Sequence, residues 1–263
     1  MTETIDDNDN QAAGFGQALR HWRNVRRFSQ LELALEADVS SRHLSFLESG
    51  RAKPSREMVL QLADALMLPR GTRNGLLAQA GFASAFPSTP LESSQIAPLL
   101  QALLSMMDKH APYPAMLCDS HWNVLQANPS AQALLAPFHS SNSPMNVVDM
   151  LCDKDKLGDF IVNYDEVMWE MLGRVRLEAL EASGDPQLIA MEAKLRLILR
   201  DSPQSPEKPR RPLVPIQLRA MGTTLSFLTA IAHFGTSEDV VVRDLRLELL
   251  FPADEQTRRA FGQ

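Results

Sequence analysis

The stretch from Ser29 to Ser55, SQLELALEADVSSRHLSFLESGRAKPS, leaves its backbone few choices. Ser29 can accept a hydrogen bond from the first turn of a helix, and Glu32, three residues on, completes a capping box. Leu31, Leu33, Ala34 and Leu35 are expected to supply the apolar side of that helix. Asp38-Val39-Ser40 forms a turn, and Ser40 caps a second helix running to about Ser49. Gly50 stops it, because glycine takes a positive φ at no steric cost. A basic loop with Arg51 and Lys53 follows.

Helices around this pair complete a bundle. Phe15, Leu19, Trp22 and Val25 recur at three- and four-residue steps and predict a helix from about Phe15 to Arg27. Ser55 caps a fourth helix through Leu66, with Met58, Val59, Leu62, Ala65 and Leu66 inward, and a fifth runs from about Gly71 to Ala80. Two short helices joined by a tight turn within such a bundle have the layout of a helix-turn-helix, whose second helix enters the major groove of DNA. The charge distribution agrees. Although the whole chain carries -6, residues 11–85 hold ten Lys/Arg against six Asp/Glu, a net +4 between acidic neighbours.

At 100° per residue, Leu44 and Leu47 of the second helix point into the bundle, while Arg42, Ser45, Phe46 and Ser49 gather on the other side with Ser41 at its flank. An arginine there can donate two hydrogen bonds to guanine O6 and N7, and an aromatic ring can touch a thymine methyl. Phe46 could instead pack on another domain or a dimer mate, and Arg42 could be a solvated surface side chain or a phosphate contact. Arg26, Arg27, Gln30, Arg51 and Lys53 are the expected phosphate contacts, which supply affinity without sequence choice. Glu48 cannot favour a phosphate and is expected to hold the bundle by pairing an arginine of the first helix.

Residues 15–81 resemble the lambda-repressor-like, XRE-type helix-turn-helix family. The resemblance is carried by Ser29-Gln30, Leu33-Ala34, Val39-Ser40, Leu44, Leu47-Glu48, Gly50-Arg51 and Pro54. It implies a double-stranded DNA operator as partner, read as two half-sites by a homodimer.

Residues 1–13 read as an acidic disordered tail, 14–83 as the helix-turn-helix domain, 84–93 as a proline-bearing linker and 94–263 as a second domain. The second domain opens with a helix through Lys109. Strands at Ala115–Cys118 and Asn123–Ala127 flank a turn at Asp119-Ser120-His121. Asn128-Pro129 starts a helix as N-cap and first-turn proline. Met168, Met171, Leu172, Val175 and Ala179 stripe a helix over Asp165–Leu180, and Asp185-Pro186 starts another to about Leu199. After an exposed loop at Ser202–Pro212 come strands at Val214–Arg219, Thr224–His233 and Leu245–Phe251, then a helix opened by Pro252-Ala253-Asp254. The expected fold is multi-domain: an all-α five-helix bundle, then an α+β PAS-like domain whose five-stranded antiparallel sheet has helices over one face.

Residues 94–261 resemble the ligand-binding domain of the MmyB-like transcription regulators. The matching residues are Trp122-Asn123-Val124-Leu125 with Asn128, Asn146-Val147-Val148-Asp149-Met150-Leu151, Ile161-Val162-Asn163-Tyr164, Arg176 with Glu178, and Asp185-Pro186. Phe234-Gly235-Thr236, Asp239, Leu247-Glu248 and Phe251-Pro252-Ala253-Asp254 with Thr257 continue the set. Tyr164 stands where the family commonly has tryptophan. The resemblance implies a PAS-like pocket for a fatty-acid-like or acyl ligand and no other cofactor.

Nine of the twelve methionines, Met106, Met107, Met116, Met145, Met150, Met168, Met171, Met191 and Met221, lie in this domain. Flexible thioethers suit a cavity for a variable apolar ligand, or they are ordinary core. The expected pocket residues are Met116, Leu125, Asn128, Met150, Asn163, Met168, Met171, Arg176, Phe227 and Ile231. Arg176 is the first candidate for a carboxylate head, or else a structural ion-pair partner. Catalysis is not expected. The six histidines form no metal-binding pair at helical spacing, and no nucleophile-elbow or phosphate-cradling glycine motif is present. His121 beside Cys118 and Asp119 reads as neighbours on one turn. Cys118 and Cys152 read as two buried reduced thiols. No apolar run is long enough to cross a bilayer, and the acidic N-terminus is unlike a signal peptide, so a cytoplasmic protein is expected. The leading expectation is a ligand-responsive DNA-binding regulator. The alternatives are a constitutive DNA binder whose second domain only dimerises, and a sensor that binds another protein.

Overall fold

A computed structural model describes residues 7–138, 144–182, 185–202, 213–220, 222–234 and 239–262. The expected sites Met221, His139 and Gly235-Thr236, and most of the loop at 202–212, lie outside the described residues. The chain divides into two compact units, Met1–Ser88 with Ala179–Asp185, and Thr89–Glu178 with Pro186–Gln263.

The first unit holds α1 (Asp7–Val25), α2 (Gln30–Glu36), α3 (Ser41–Glu48), α4 (Arg56–Ala65) and α5 (Arg70–Gln79). α1 starts at Asp7 and ends two residues sooner than expected, with Arg27 at φ 61°. Ser29 and Glu32 form the capping box, with Ser29 Oγ accepting from Glu32 N at 3.2 Å and Glu32 Oε2 accepting from Ser29 N at 2.7 Å. Ser40 and Ser55 cap α3 and α4 by accepting from His43 N and Met58 N, each at 3.1 Å. The turn between α2 and α3 reverses at Asp38, which takes φ 48°. Phe15, Leu19, Leu33, Leu44, Leu47, Val59, Leu62 and Leu77 are fully buried in one core.

The apolar side of α2 is narrower than expected. Leu33 and Ala34 are buried, but Leu31 and Leu35 are 60% and 73% exposed. A seven-residue helix wedged in a small bundle turns only one stripe inward, and positions 31 and 35 fall on the outer side of it.

In the second unit α6 (Ala97–Lys109) precedes β1 (Ala115–Cys118), β2 (Val124–Ala127) and α7 (Pro129–Leu135). Short helices α8 (Val147–Leu151) and α9 (Lys154–Leu157) lead to α10 (Tyr164–Glu181) and α11 (Pro186–Ile198). Then come β3 (Ile216–Ala220), β4 (Thr223–Ala232), α12 (Val240–Asp244), β5 (Arg246–Pro252) and α13 (Glu255–Ala260). The sheet is antiparallel in the order β2-β1-β5-β4-β3. Leu117 pairs with Leu247 and Ala115 with Leu249, so these four share one face. Leu103 and Met107 of α6 pack there. Glu248 points to the opposite face by strand alternation and binds Arg174 of α10 at 2.7 Å. Helices therefore cover both faces rather than one. The near-continuous burial of β1 is the reason, because a strand buried at all four positions has no face left for water.

Gly16 shows how closely α1 crosses α3. A Cβ there would stand 2.5 Å from the Leu47 carbonyl oxygen and 2.8 Å from that of Glu48. Alanine ordinarily stabilises a helix interior relative to glycine by up to about 1 kcal/mol, but backbone oxygens cannot move aside cheaply. Gly16→Ala is therefore expected to destabilise the first unit by about 1–3 kcal/mol, measured by urea denaturation; a stabilised variant would refute this contact.

Candidate functional site

The capping serine and the buried Leu44, Leu47 and Glu48 fix the rotation of α3 about its axis. Ser41, Arg42 and Ser49 are exposed and Ser45 and Phe46 half-buried, so the five expected base contacts share the outward side. Arg42 lies over Phe46, its guanidinium carbon 5.4 Å from the ring centre. Ser49 is the C-cap, and its hydroxyl turns back to the Phe46 carbonyl at 3.2 Å. The helix closes in a Schellman motif. Gly50 sits at φ 73°, its N–H donates to the Leu47 carbonyl at 3.2 Å, and Arg51 N donates to the Phe46 carbonyl at 2.9 Å.

Glu48 holds the bundle from the inner side of α3. Arg23 of α1 binds it with two nitrogens, at 2.6 Å to Oε1 and 3.0 Å to Oε2. Gln30 adds its amide to Oε2 at 2.8 Å. Arg23 also donates to the Phe28 carbonyl at 2.8 Å. Both carboxylate oxygens are occupied, and the Glu48 side chain is 3% exposed.

The expected phosphate contacts divide. Arg51 and Lys53 are exposed just past α3. Gln30 commits its amide to Glu48, so that group orients α3. Arg26 donates to the Met67 carbonyl at 3.1 Å, tying α1 to the turn after α4. Arg26 and Arg27 line an open groove of about 460 Å³ with Phe28, Glu32, Leu35 and Glu36. Two carboxylates there disfavour a phosphate, and the left-handed turn at Arg27 carries the pair to that side.

The second unit disperses the expected pocket. Met116, Met168, Met171 and Phe227 are buried. Met116 shares the sheet face of Glu248, across which α10 lies. Met150 on α8 is half-buried. Leu125 packs with α6 on the other face, and Ile231 is 44% exposed near the end of β4. Asn128 is spent on backbone: its Oδ1 accepts from Ala115 N and Ala131 N, and its Nδ2 donates to the Tyr113 carbonyl at 2.8 Å. Asn163 similarly ties α10 to β3 through Gln217 N and the Pro215 carbonyl. Arg176 is exposed. Two residues away and so 200° around α10, Arg174 is the arginine that reaches the sheet.

Arg174 belongs to a cluster that sequence reasoning missed. Trp122, 1% exposed, takes φ 65° at the β1–β2 turn. Its indole N–H donates to Glu178 Oε2 at 2.8 Å, and the guanidinium carbons of Arg174 and Arg246 each lie 4.6 Å from its ring. Arg246 binds Glu178 Oε1 at 2.5 Å. Burial raises the Glu248 carboxyl above its ordinary range, with Arg174 pulling the other way. Arginines at 174 and 246 beside glutamates at 178 and 248, four and two residues on, were the available signal. Burial pushes the Cys118 thiol up to about 12. The Asp119 carboxylate accepts from His121 N and Asn123 N at 2.9 Å each, so Asp119 shapes the turn between β1 and β2. Cys152 is half-buried, not fully buried as expected.

These pairs make testable demands. Arg23→Met strands a buried carboxylate and is expected to cost about 3–5 kcal/mol, whereas Arg23→Met with Glu48→Leu recovers most of it. Chemical denaturation of the three chains checks this; an additive double variant would contradict it. In the second unit Arg174→Met is expected to cost about 2–4 kcal/mol and Arg176→Ala no more than about 0.5. Equal losses would remove the distinction between the two arginines.

Comparison with known proteins places both units. Residues 15–76 match a family model described as a helix-turn-helix domain. An uncharacterized HTH-type transcriptional regulator of Bacillus subtilis (strain 168), RghRB, is 35% identical over 82 residues, covering 31% of this chain and 57% of that protein. The uncharacterized HTH-type transcriptional regulators Mb0023 of Mycobacterium bovis (strain ATCC BAA-935 / AF2122/97) and Rv0023 of Mycobacterium tuberculosis (strain ATCC 25618 / H37Rv) are each 40% identical over 65 residues, 25% of this chain and of each of those proteins. The chain thus spans about half the length of the first of these relatives and a quarter of the other two. Residues 99–263 match the MmyB-like transcription regulator ligand binding domain. With that domain behind a helix-turn-helix, the chain belongs to the MmyB-like transcription regulators.

Proposed function

We propose that this chain is a sequence-specific DNA-binding regulator that senses a small apolar ligand. The observation that carries the DNA reading is α3, locked on its inner side by Leu44, Leu47 and Glu48 and presenting Arg42 and Phe46 outward. In this reading α3 enters the major groove of a double-stranded operator, with Ser41, Arg42, Ser45, Phe46 and Ser49 toward the bases. Arg51 and Lys53 meet phosphates. The protein acts as a homodimer on two half-sites, in the cytoplasm; no helix among the described residues is long and apolar enough to cross a membrane.

The ligand reading rests on the family of the second unit and on its buried Met116, Met168 and Met171. The strand order β2-β1-β5-β4-β3 supports a PAS-like arrangement, and a fatty acid or acyl derivative is the proposed ligand. Ionised carboxylates pair best with a cation in partly dry surroundings, and Arg176 is exposed while Arg174 is taken by Glu248. The acyl chain, more than its head, is therefore the part that the buried methionines recognise.

Arg42→Ala is expected to lose discrimination at one base pair by about 1–3 kcal/mol, read as binding to operator variants. Arg51→Ala and Lys53→Ala should weaken all sequences alike and each lower the salt dependence of binding by about one phosphate contact. Uniform weakening by Arg42→Ala would recast it as a phosphate contact. Native mass spectrometry of freshly purified protein tests the ligand. A co-purifying lipid-sized mass is expected; an empty protein whose operator affinity ignores fatty acids and acyl derivatives would leave the second unit as a dimerisation domain.

A further inference from the structure

Arg42 and Phe46 are one helical turn apart on α3, and their contact has a consequence for what the helix can read. Side chains on a helix lean toward its N-terminus, so the ring at position 46 leans back toward position 42. The separation of 5.4 Å between guanidinium carbon and ring centre lies within cation–π range.

Phe46 is also the best anchored residue of the outward side. Its carbonyl accepts from Arg51 N at 2.9 Å, Ala52 N at 3.2 Å and Ser49 Oγ at 3.2 Å. The backbone that carries the ring is the fixed post of the Schellman motif. The Arg42 side chain, by contrast, makes no hydrogen bond or ion pair among the described residues, and its guanidinium stands near the Phe46 ring. Its five N–H donors are unspent while its charge stands 5.4 Å from the centre of an aromatic ring whose backbone is held. A guanidinium in that condition has lost rotamer freedom before any ligand arrives, which favours a planar acceptor pair such as guanine O6 and N7.

We propose that Phe46 is a positioning residue for Arg42, and that the two side chains act as one unit reading a base step in which a guanine adjoins a thymine. The proposal rests on the DNA reading of α3 given above. Base pairs are stacked about 3.4 Å apart, so two contacting side chains reach the same or neighbouring pairs. The guanidinium takes the guanine acceptors and the ring edge takes the thymine methyl. Reading is then coupled: removing the ring disturbs recognition of the guanine as well as of the methyl group.

The test uses the full chain. Duplexes selected from a random library define the operator, and dissociation constants are then measured for that operator, for a guanine-to-adenine swap and for deoxyuridine in place of thymine. The selected half-site is expected to contain adjacent G·C and T·A pairs. Phe46→Leu keeps an apolar side chain for the thymine methyl but no ring face for the guanidinium, and should shrink the guanine-over-adenine ratio by about two- to fivefold. Phe46→Trp keeps a stacking surface and should keep that ratio. A ring that merely stabilised α3 would weaken every sequence alike and leave the ratio intact in Phe46→Leu, and this result overturns the proposal, as does a half-site with no guanine beside a thymine. A chain that enriches no sequence at all would overturn the DNA reading itself, which separates the two failures.

Discussion

The Glu48 carboxylate is the point through which the first three helices agree on their orientation. It lies on α3, takes two nitrogens of Arg23 from α1, and takes the amide of Gln30 from the first turn of α2. Apolar burial in this unit is ample, with Phe15, Leu19, Leu33, Leu44 and Leu47 fully excluded from water. Burial is non-directional, however, and a leucine can be satisfied over a range of helix rotations. A bidentate guanidinium–carboxylate pair is satisfied over a narrow range. With its third hydrogen bond in place, from Gln30, Glu48 defines which residues of α3 face outward.

The second unit uses the same chemistry on a different scaffold. Trp122 is drawn inside by the β1–β2 turn and meets Arg174, Arg246 and Glu178, while Glu248 takes Arg174 from the sheet. The positive φ of Trp122 is unusual for a bulky residue and is held by the turn around it. Asp119 accepts from two backbone amides there, and Asn146 donates to the His121 carbonyl at 2.7 Å. The cluster binds the hairpin turn, α10 and β5 at one place. The raised Glu248 carboxyl marks the cost of burying a charge that only part of its surroundings compensates.

Local signals in the chain were legible where local forces decide the outcome. Ser29 with Glu32, Ser40, Ser55 and Asn128 all cap as their spacing implies, because a cap needs only neighbours within a turn. β1 and β5 stand within a residue of their expected limits, since a short continuous apolar run and a leucine alternation leave few other readings. The short helices α8, α9 and α12 went unseen, being too brief for a periodic pattern. Residue type and approximate helix face say less where partners lie far along the chain. Leu31 and Leu35 are exposed, Arg26 binds the Met67 carbonyl 41 residues on, and Arg176 is exposed while Arg174 reaches Glu248. Arg174 lay two positions from the residue chosen, and only the presence of Glu248 across the sheet, 74 residues on, tells the two apart.

That dependence on distant partners bears on the outward side of α3 as well. Each residue of helix advances 100°, so a slip of one position would bring Ser45 or Phe46 toward the core and send Leu44 or Leu47 toward water. Two leucines oppose such a slip by their burial alone. Glu48 opposes it more sharply, because rotation would pull its carboxylate from both Arg23 and Gln30 and leave charges buried without partners. Gly16 adds a steric limit, since α1 already approaches the Leu47 and Glu48 carbonyls too closely to admit a methyl group. The Schellman motif then fixes the far end at Gly50. The outward side chains are thus oriented from the inner side of α3, and a substitution at Arg23 or Gly16 bears on the angle at which α3 presents them.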